Sequence, residues 1–357
     1  MRRIGILTSG GDCQALNAVM RGVIKSLDNR LNDLEVYGFL NGFKGLLFGE
    51  YRKLIAEDFS GILTKGGTIL GSGKEPFKDI CEPGENGLDK IKAMKATVRR
   101  LELECLVVLG GTGSQKTANR MREEGLNIIY LPKSMDNAIF GTDITYGFYS
   151  GVNIATEAID CIHTTSASHN RVFIVEIMGH EVGWMALYAG MAGGADIILI
   201  PEIPYDLQIL KDAIEHRCHK GRSFTILAVA EGAMTKEDAA LSKKDYREKL
   251  EGSPVSSPVY ELAGKLEKMS GTDVRVIIPG HMQRGGSPSP QDRLISTRMG
   301  AAAAELVIKK EYGYMVAIVN DQTIKIPLDE VTGRTKTIDP DSQIVAQARQ
   351  MGICFGD

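Results

Sequence analysis

The stretch "LPKSMDNAIFGTD" at residues 131–143 combines residue types that could do chemistry. It follows an apolar run, turns at Pro132 and presents one carboxylate, Asp136, next to Lys133 and Ser134. A carboxylate within hydrogen-bond reach of a hydroxyl can take its proton as the hydroxyl attacks. The loop therefore predicts a general base aimed at a bound molecule.

Three glycine-rich loops predict a second kind of site: "SGGD" (9–12), "GGTILGSGK" (66–74) and "GGTGS" (110–114). Glycines let backbone amides approach a phosphate, and a helix starting near Ser114 would add its positive dipole end. The alternative is a tight turn in which Ser114 is only the N-cap. Two strand–Gly-Gly–helix junctions in one lobe favour a nucleotide or phosphate site. Neither a Walker A loop nor a complete dinucleotide-binding fingerprint is present.

A further set of side chains would suit a sugar phosphate, since arginines bind phosphate and a carboxylate binds hydroxyls. Singly, each of them could be an ordinary surface charge. The segment "RVIIPGHMQRGG" is expected to bring its two arginines and its histidine to one strand end. The set is Arg171, His180, Glu231, Arg275, His281 and Arg284.

Composition narrows the function classes. The 357 residues suit two lobes, and the net charge of −3 gives no general case for binding nucleic acid or an anionic membrane. No apolar run reaches the roughly 18 residues that a membrane helix needs. The apolar stretch after Arg3 is too short for a signal peptide. Six scattered cysteines are typical of reduced thiols, which predicts a cytoplasmic protein.

Short apolar strands alternate with helices along the chain. "RIGILTS", "CLVVLGG", "NIIYLP", "RVFIVEIMG", "ADIILIPE" and "FTILAVAEG" are examples of such strands. This pattern predicts parallel sheets covered on both faces, and there are too many elements for one sheet. We therefore predict an α/β protein with two doubly wound parallel-sheet, Rossmann-like lobes. The charged segment 235–272 is predicted to be an insertion on the surface of the second lobe.

Several of these motifs together resemble one known family. "IGILTSGGD", "GGTILGS", "VVLGGTGS", "PKSMDNAIFGTD", "EIMGHEVGW", "AGGADIILIPE" and "PGHMQRGGSPSPQDR" are similar in order and spacing to the phosphofructokinase family. The match runs from residue 4 to about 305. The resemblance implies a phosphofructokinase-like nucleotide lobe (1–147 plus about 283–333) and a sugar-phosphate lobe (148–282 plus about 334–357).

The resemblance also implies a reaction and its residues. A phosphoryl group would pass from ATP, with Mg²⁺, or from pyrophosphate to the 1-hydroxyl of fructose 6-phosphate, with Asp136 as the base. The donor phosphates would be held by Gly11, Lys74, Gly111, Thr112, Gly113 and Ser114. The acceptor would be bound by Ser134, Asp136, Met178, Gly179, His180, Glu231, His281 and Arg284. In the implied homo-oligomer, Arg171 and Arg275 would reach in from a partner subunit to complete a shared site.

The sequence departs from the family pattern at several positions. Thr112 and Ala138 replace acids, His180 replaces an arginine that would contact the acceptor, and Lys74 replaces another arginine. These departures leave open a kinase for another sugar phosphate, or a catalytically weakened paralogue that acts as a binding or regulatory subunit. Lys133 is a feature of pyrophosphate-dependent members, but Gly113 leaves open the space that a nucleotide needs. We therefore expect ATP as the donor.

Overall fold

The computed structural model describes residues 1–73, 77–83, 87–169, 171–222, 224–251 and 257–357. The chain divides into two compact units. The first contains Met1–Ser150 and Arg284–Lys336, and the second contains Gly151–Gln283 and Thr337–Asp357. Each unit is built on its own sheet with helices, so the prediction of two α/β lobes is confirmed.

The elements of the described residues follow one another as strands and helices along the chain. The strands are β1 (Arg2–Ser9), β2 (Leu34–Phe39), β3 (Tyr51–Leu54), β4 (Cys105–Gly110), β5 (Ile128–Pro132), β6 (Val172–Ile177), β7 (Ile197–Leu199), β8 (Thr225–Ala230), β9 (Val274–Ile277), β10 (Tyr314–Val319) and β11 (Gln322–Pro327). The helices are α1 (Leu16–Asp28), α2 (Phe43–Phe48), α3 (Phe77–Cys81), α4 (Lys90–Arg100), α5 (Thr112–Glu123), α6 (Phe148–Ser166), α7 (Trp184–Ala192), α8 (Leu207–His219), α9 (Lys236–Ala239), α10 (Lys243–Glu251), α11 (Pro258–Ser270), α12 (Pro290–Lys309), α13 (Leu328–Val331) and α14 (Gln343–Gln350).

The sheet of the first unit has the order β11-β10-β5-β4-β1-β2-β3 among the described residues. Its five central strands are parallel, as predicted, but both edge strands are antiparallel, which the prediction missed. At one edge, β10 turns directly into β11 through Asn320 and Asp321, which both have positive φ (49° and 60°). A two-residue turn of this kind makes a hairpin, whereas a parallel neighbour needs a long crossover.

The core of the first unit lies on both faces of this sheet. On one face, α1 buries Leu16, Val19, Met20, Val23, Ile24 and Leu27 against the sheet and α12, which confirms the apolar face expected from 3.6-residue spacing. The two helices pack so closely that a Cβ on Gly300 would lie 2.7 Å from the backbone nitrogen of Val23. The other face is covered by α2, α4, α5 and α13.

The sheet of the second unit has the order β7-β8-β6-β9, and its described strands are all parallel. The C-terminal tail pairs beside β7, where the nitrogen of Ile198 donates to the carbonyl of Cys354 at 2.9 Å. The expectation of a surface insertion is wrong for α11, which buries Val259, Leu262 and Leu266 and packs on β9 and α8. The helical spacing of its apolar residues was not recognised, because charged residues lie between them.

The described helices include none that combines the length and the apolar character needed to cross a membrane.

Candidate functional site

The three glycine-rich loops of the first unit meet at the carboxyl ends of β1 and β4. The nitrogen of Gly10 donates to the carbonyl of Gly73 at 2.8 Å, and the hydroxyl of Ser114 donates to that of Ser9 at 2.9 Å. The strand order reverses between β1 and β4, which is where open α/β sheets form their ligand crevice. The sequence-predicted phosphate loops therefore lie together, although Lys74 falls outside the described residues.

Helix α5 starts at Thr112 with Gly111 as its N-cap, and no side chain caps it. The alternative in which Ser114 is the N-cap is therefore wrong, because its buried hydroxyl bonds to Ser9 instead. The backbone N–H groups of the first turn have no partners within the helix. A Cβ on Gly113 would meet nothing within 4 Å, so that side of the turn is open. These amides and the helix dipole can bind a phosphate.

Lys133 links the loop that carries Asp136 to these glycine turns. Its side chain is buried, its backbone nitrogen donates to the carbonyl of Gly110 at 2.8 Å, and its ammonium donates to the carbonyl of Gly11. Burial lowers the pKa of this lysine, and the nearby carboxylate of Asp136 offsets part of that effect. The sequence analysis considered Lys133 only as a feature of pyrophosphate-dependent family members. Its role in joining the two loops was missed.

The loop after β5 holds Asp136 in a defined turn. The nitrogen of Asp136 donates to the hydroxyl of Ser134 at 3.1 Å, and Asn137 takes a left-handed conformation with φ of 55°. The side chain of Asn137 accepts a hydrogen bond from the nitrogen of Thr145 at 3.0 Å. Arg284 donates to the carbonyl of Asp12 at 3.0 Å, next to the glycine turn. Its charge and that of Asp136 both act on the pKa of Lys133.

A second cluster lies at the carboxyl ends of β6 and β8 in the second unit. One oxygen of Glu231, Oε1, accepts from the nitrogens of Gly179 (3.3 Å) and His180 (2.7 Å) and lies 2.9 Å from His180 Nδ1. Burial opposes ionisation of Glu231, but the hydrogen bonds from His180 and Gly179 outweigh it and lower its pKa. His180 has a φ of 52°, which this carboxylate stabilises.

The same turn has a partner that sequence reasoning missed. The side-chain oxygen of Gln283 accepts from the nitrogen of Met178 at 3.2 Å. Gln283 is almost fully buried and lies in the short 3₁₀ helix Gly280–Arg284, together with the exposed His281. The only sequence signal for it was its place between two candidate residues in "HMQR".

The structure corrects the expectation that Arg275 shares a strand end with His281 and Arg284. Arg275 lies at the start of β9, and Arg171 lies just before β6. Both arginines bind Asp273, at 2.9 Å and 2.7 Å respectively. His180 follows the other end of β6, and a six-residue strand spans about 20 Å. Within one chain, these two arginines are thus not part of the Glu231 cluster.

The described residues contain no group of three or more His, Cys, Asp or Glu side chains arranged to hold a metal ion. At the two positions where acids were expected, Thr112 is exposed at the start of α5 and Ala138 is half-buried in the Asp136 loop.

Comparison with known proteins decides the family. The phosphofructokinase family model matches residues 3–307. The chain belongs to the phosphofructokinase family. It is 48% identical to the ATP-dependent 6-phosphofructokinase of Spirochaeta thermophila, over 100% of this chain and 98% of that protein. It is 44% identical to ATP-dependent 6-phosphofructokinase 3 of Bacteroides thetaiotaomicron, over 99% of this chain and 100% of that protein.

Solved structures agree with this assignment. Phosphofructokinase of Pichia pastoris in the T-state has a TM-score of 0.80 and 30% identity, covering 98% of this chain and 36% of that longer chain. Pyrophosphate-dependent phosphofructokinase of Marinobacter aquaeolei also has a TM-score of 0.80, with 22% identity over 100% of this chain and 93% of that chain, and supports the fold alone. The predicted phosphofructokinase-like fold is confirmed.

Proposed function

We propose that this phosphofructokinase-family chain is an ATP-dependent 6-phosphofructokinase that transfers the γ-phosphoryl group of ATP to the 1-hydroxyl of fructose 6-phosphate. The observation that supports the proposal is that Lys133, three residues before Asp136, donates to the carbonyl of Gly11 in the glycine turn after β1. The full-length relatives named as ATP-dependent 6-phosphofructokinases support the same reaction.

In this mechanism the first unit binds the donor and carries the base. The backbone amides of Gly11 and of residues 111–114 hold the donor phosphates. Asp136 accepts the proton of the attacking hydroxyl, while Ser134 and Arg284 orient the acceptor. Phosphoryl transfer depends mainly on such positioning and on charge neutralisation.

Residues of the second unit recognise the acceptor. Glu231 fixes the turn at Met178, Gly179 and His180 and receives acceptor hydroxyls, and His281 adds a further contact. Because Arg171 and Arg275 gather around Asp273 at the opposite strand ends, we propose that they act on the site of a neighbouring copy in a homo-oligomer.

Magnesium would enter with the nucleotide. The exposed Thr112 hydroxyl would offer such an ion one neutral oxygen, and water and phosphate oxygens would supply its other ligands, as is usual for Mg²⁺ in phosphoryl-transfer sites. When bound, the ion neutralises charge on the phosphates.

ATP is favoured over pyrophosphate as the donor. No atom lies within 4 Å of where a Cβ on Gly113 would stand, so nothing at that position blocks a nucleotide, and the relatives at 48% and 44% identity are named as ATP-dependent. Those relatives do not favour the alternatives of another sugar-phosphate kinase or a weakened paralogue. All six cysteines are free thiols, which supports a cytoplasmic location.

A coupled assay tests the proposal. Purified protein is supplied with Mg²⁺ and fructose 6-phosphate, with ATP in one series and pyrophosphate in another, and fructose 1,6-bisphosphate is measured. We expect turnover with ATP only. Turnover with pyrophosphate alone would overturn the donor assignment, and no turnover with either donor would overturn the proposed function.

A further inference from the structure

A short segment near the C-terminus is bound along the loop that carries Asp136. The nitrogen of Lys336 donates to the carbonyl of Ala138 at 3.0 Å, and Thr335 forms an antiparallel bridge with Ile139. One residue earlier, the guanidinium of Arg334 lies 3.5 Å from the ring centroid of Phe140. We call residues 334–336 the strap.

The side chain of Lys336 extends the strap to the far end of the loop. Its ammonium donates to the carbonyl of Asp143 at 2.5 Å. The same carbonyl accepts from the side-chain amide of Asn137 at 3.3 Å. Asn137 directly follows Asp136 and holds a left-handed conformation that a non-glycine residue keeps only when its surroundings stabilise it. Lys336 and the residue that follows Asp136 thus share one acceptor, the carbonyl of Asp143.

The environment of the Lys336 side chain changes its acidity. It is largely withdrawn from solvent, and burial lowers its pKa from 10.5 to about 8, although the carboxylate of Asp143 acts in the opposite sense. Asp143 is a charged group that acts on it, and that carboxylate also accepts from the nitrogen of Asn320 at 2.7 Å. The ammonium donates to a backbone carbonyl of the loop.

The strap also lies where the chain passes from one unit to the next. Lys336 is the last residue of the first unit, and Thr337 begins the final segment of the second. Two residues after Lys336, the nitrogen of Ile338 donates to the half-buried carboxylate of Glu202 at 3.1 Å. The backbone is therefore fixed on both sides of this crossing.

We propose that Lys336 is a positioning residue that holds the Asp136 loop in its reactive conformation. The proposal rests on the proposed function, because it takes Asp136 as the base. A displaced base lowers the turnover rate more than it weakens ground-state binding, and a shift of about 1 Å can cost about a hundredfold in rate.

The test compares Lys336→Met, Lys336→Arg and the wild type, with Lys268→Met as a control at an exposed lysine. For each protein we would measure kcat and both KM values from pH 6.5 to 9.5, the unfolding midpoint, and hydrogen exchange of the amides in residues 134–145. We expect Lys336→Met to lower kcat by roughly 10- to 100-fold with little change in either KM.

The pH profile separates positioning from simple stabilisation. Wild-type kcat should fall above pH 8 as Lys336 loses its proton, and Lys336→Arg should shift that fall to higher pH because a guanidinium keeps its charge. A wild-type kcat and pH profile in Lys336→Met would overturn the proposal. If Lys336→Met does not fold, an alkaline limb that is identical in Lys336→Arg and the wild type would overturn it.

Hydrogen exchange keeps the two proposals distinguishable. Should the wild type show no turnover, the proposed function fails, and faster exchange of the loop amides in Lys336→Met would still support the positioning role. Equal exchange in the wild type and Lys336→Met would contradict that role whatever the activity.

Discussion

The buried ammonium of Lys133 donates a hydrogen bond to the carbonyl oxygen of Gly11, so the loop that carries Asp136 and the turn that follows β1 are held by one side chain. Removing the Lys133 ammonium should weaken both the proposed ATP site and the stability of the fold.

We expect Lys133→Met to raise the KM for ATP about tenfold and to lower the free energy of unfolding by about 1–3 kcal/mol, because the Gly11 carbonyl loses a hydrogen bond from a charged group. Steady-state kinetics and urea unfolding measure the two effects. Lys268→Met, at an exposed site, is the matched control. An unchanged KM for ATP would show that the Gly11 turn does not need this bond.

The pH dependence of stability provides a separate check on Lys133. Its folded pKa is below the ordinary value of 10.5, so in the window between the two the unfolded chain binds more protons. Stability from this group therefore rises with pH across that window. Lys133→Met should lack this component of the rise, which urea unfolding at several alkaline pH values can detect.

Asp136→Asn should lower kcat by roughly 10²- to 10⁴-fold, since the amide cannot accept the proton of the hydroxyl. Both KM values should change little, because the loop contacts through Ser134 and Asn137 remain. Asp160→Asn, at an exposed position on α6, is the control and should keep full activity. A kcat reduced less than tenfold would assign the base to another group.

Glu231→Gln should raise the KM for fructose 6-phosphate at least tenfold and leave the KM for ATP unchanged. The substitution removes the charge that Oε1 presents to the two backbone N–H groups and to the His180 ring. Because the folded pKa of Glu231 is lowered from 4.5, its stabilising effect is present above that value and is lost as the pH falls through the folded pKa. The free energy of unfolding should therefore fall less steeply with decreasing pH in Glu231→Gln than in the wild type. Equal slopes in the two proteins would contradict this account.

Asp292→Ala should destabilise the first unit strongly. The fully buried carboxylate accepts from the nitrogens of Gly147 (3.0 Å) and Ser150 (2.7 Å) and from the Ser150 hydroxyl (2.5 Å). Losing it leaves buried donors unpaired, at about 1–3 kcal/mol each. Asp292→Asn should cost less, because its amide oxygen can still accept. Chemical unfolding ranks the two variants against Asp160→Asn, and equal stability of all three would refute the network's importance.

Local signals explain what the sequence predicted well. The apolar face of α1 and the glycine pairs after β1 and β4 depend on residues near one another in the chain, so they could be read directly. The contact between Lys336 and Asp143 joins residues 193 positions apart, and no local pattern encodes it. The sequence analysis also grouped Arg171 and Arg275 with side chains at the opposite ends of their strands. Their position depends on the residue at which each strand begins, and residue composition does not determine that residue.

Asp136 shows both sides of this division. Its loop was identified from the polar residues after the apolar run, but the predicted turn at Pro132 is wrong, because Pro132 ends β5 and the chain turns at Met135 and Asp136. The bond from Lys133 to Gly11 joins residues far apart in the chain, so the sequence pattern did not predict it. The two antiparallel edge strands, "YRKL" and "QTIKIP", are mostly exposed and polar, so the pattern of short apolar strands did not include them.

The two units are interleaved along the chain, and this limits how the gene can be divided. A polypeptide that stops at residue 283 would lack the C-terminal tail that pairs beside β7 in the second sheet. It would also lack β10 and β11 of the first sheet and the helix α12 that packs on it. Neither unit is one continuous segment of the chain, so neither can be expressed whole as a single natural fragment. Dissection of this protein into halves requires two co-expressed polypeptides or a circular permutation with designed joints.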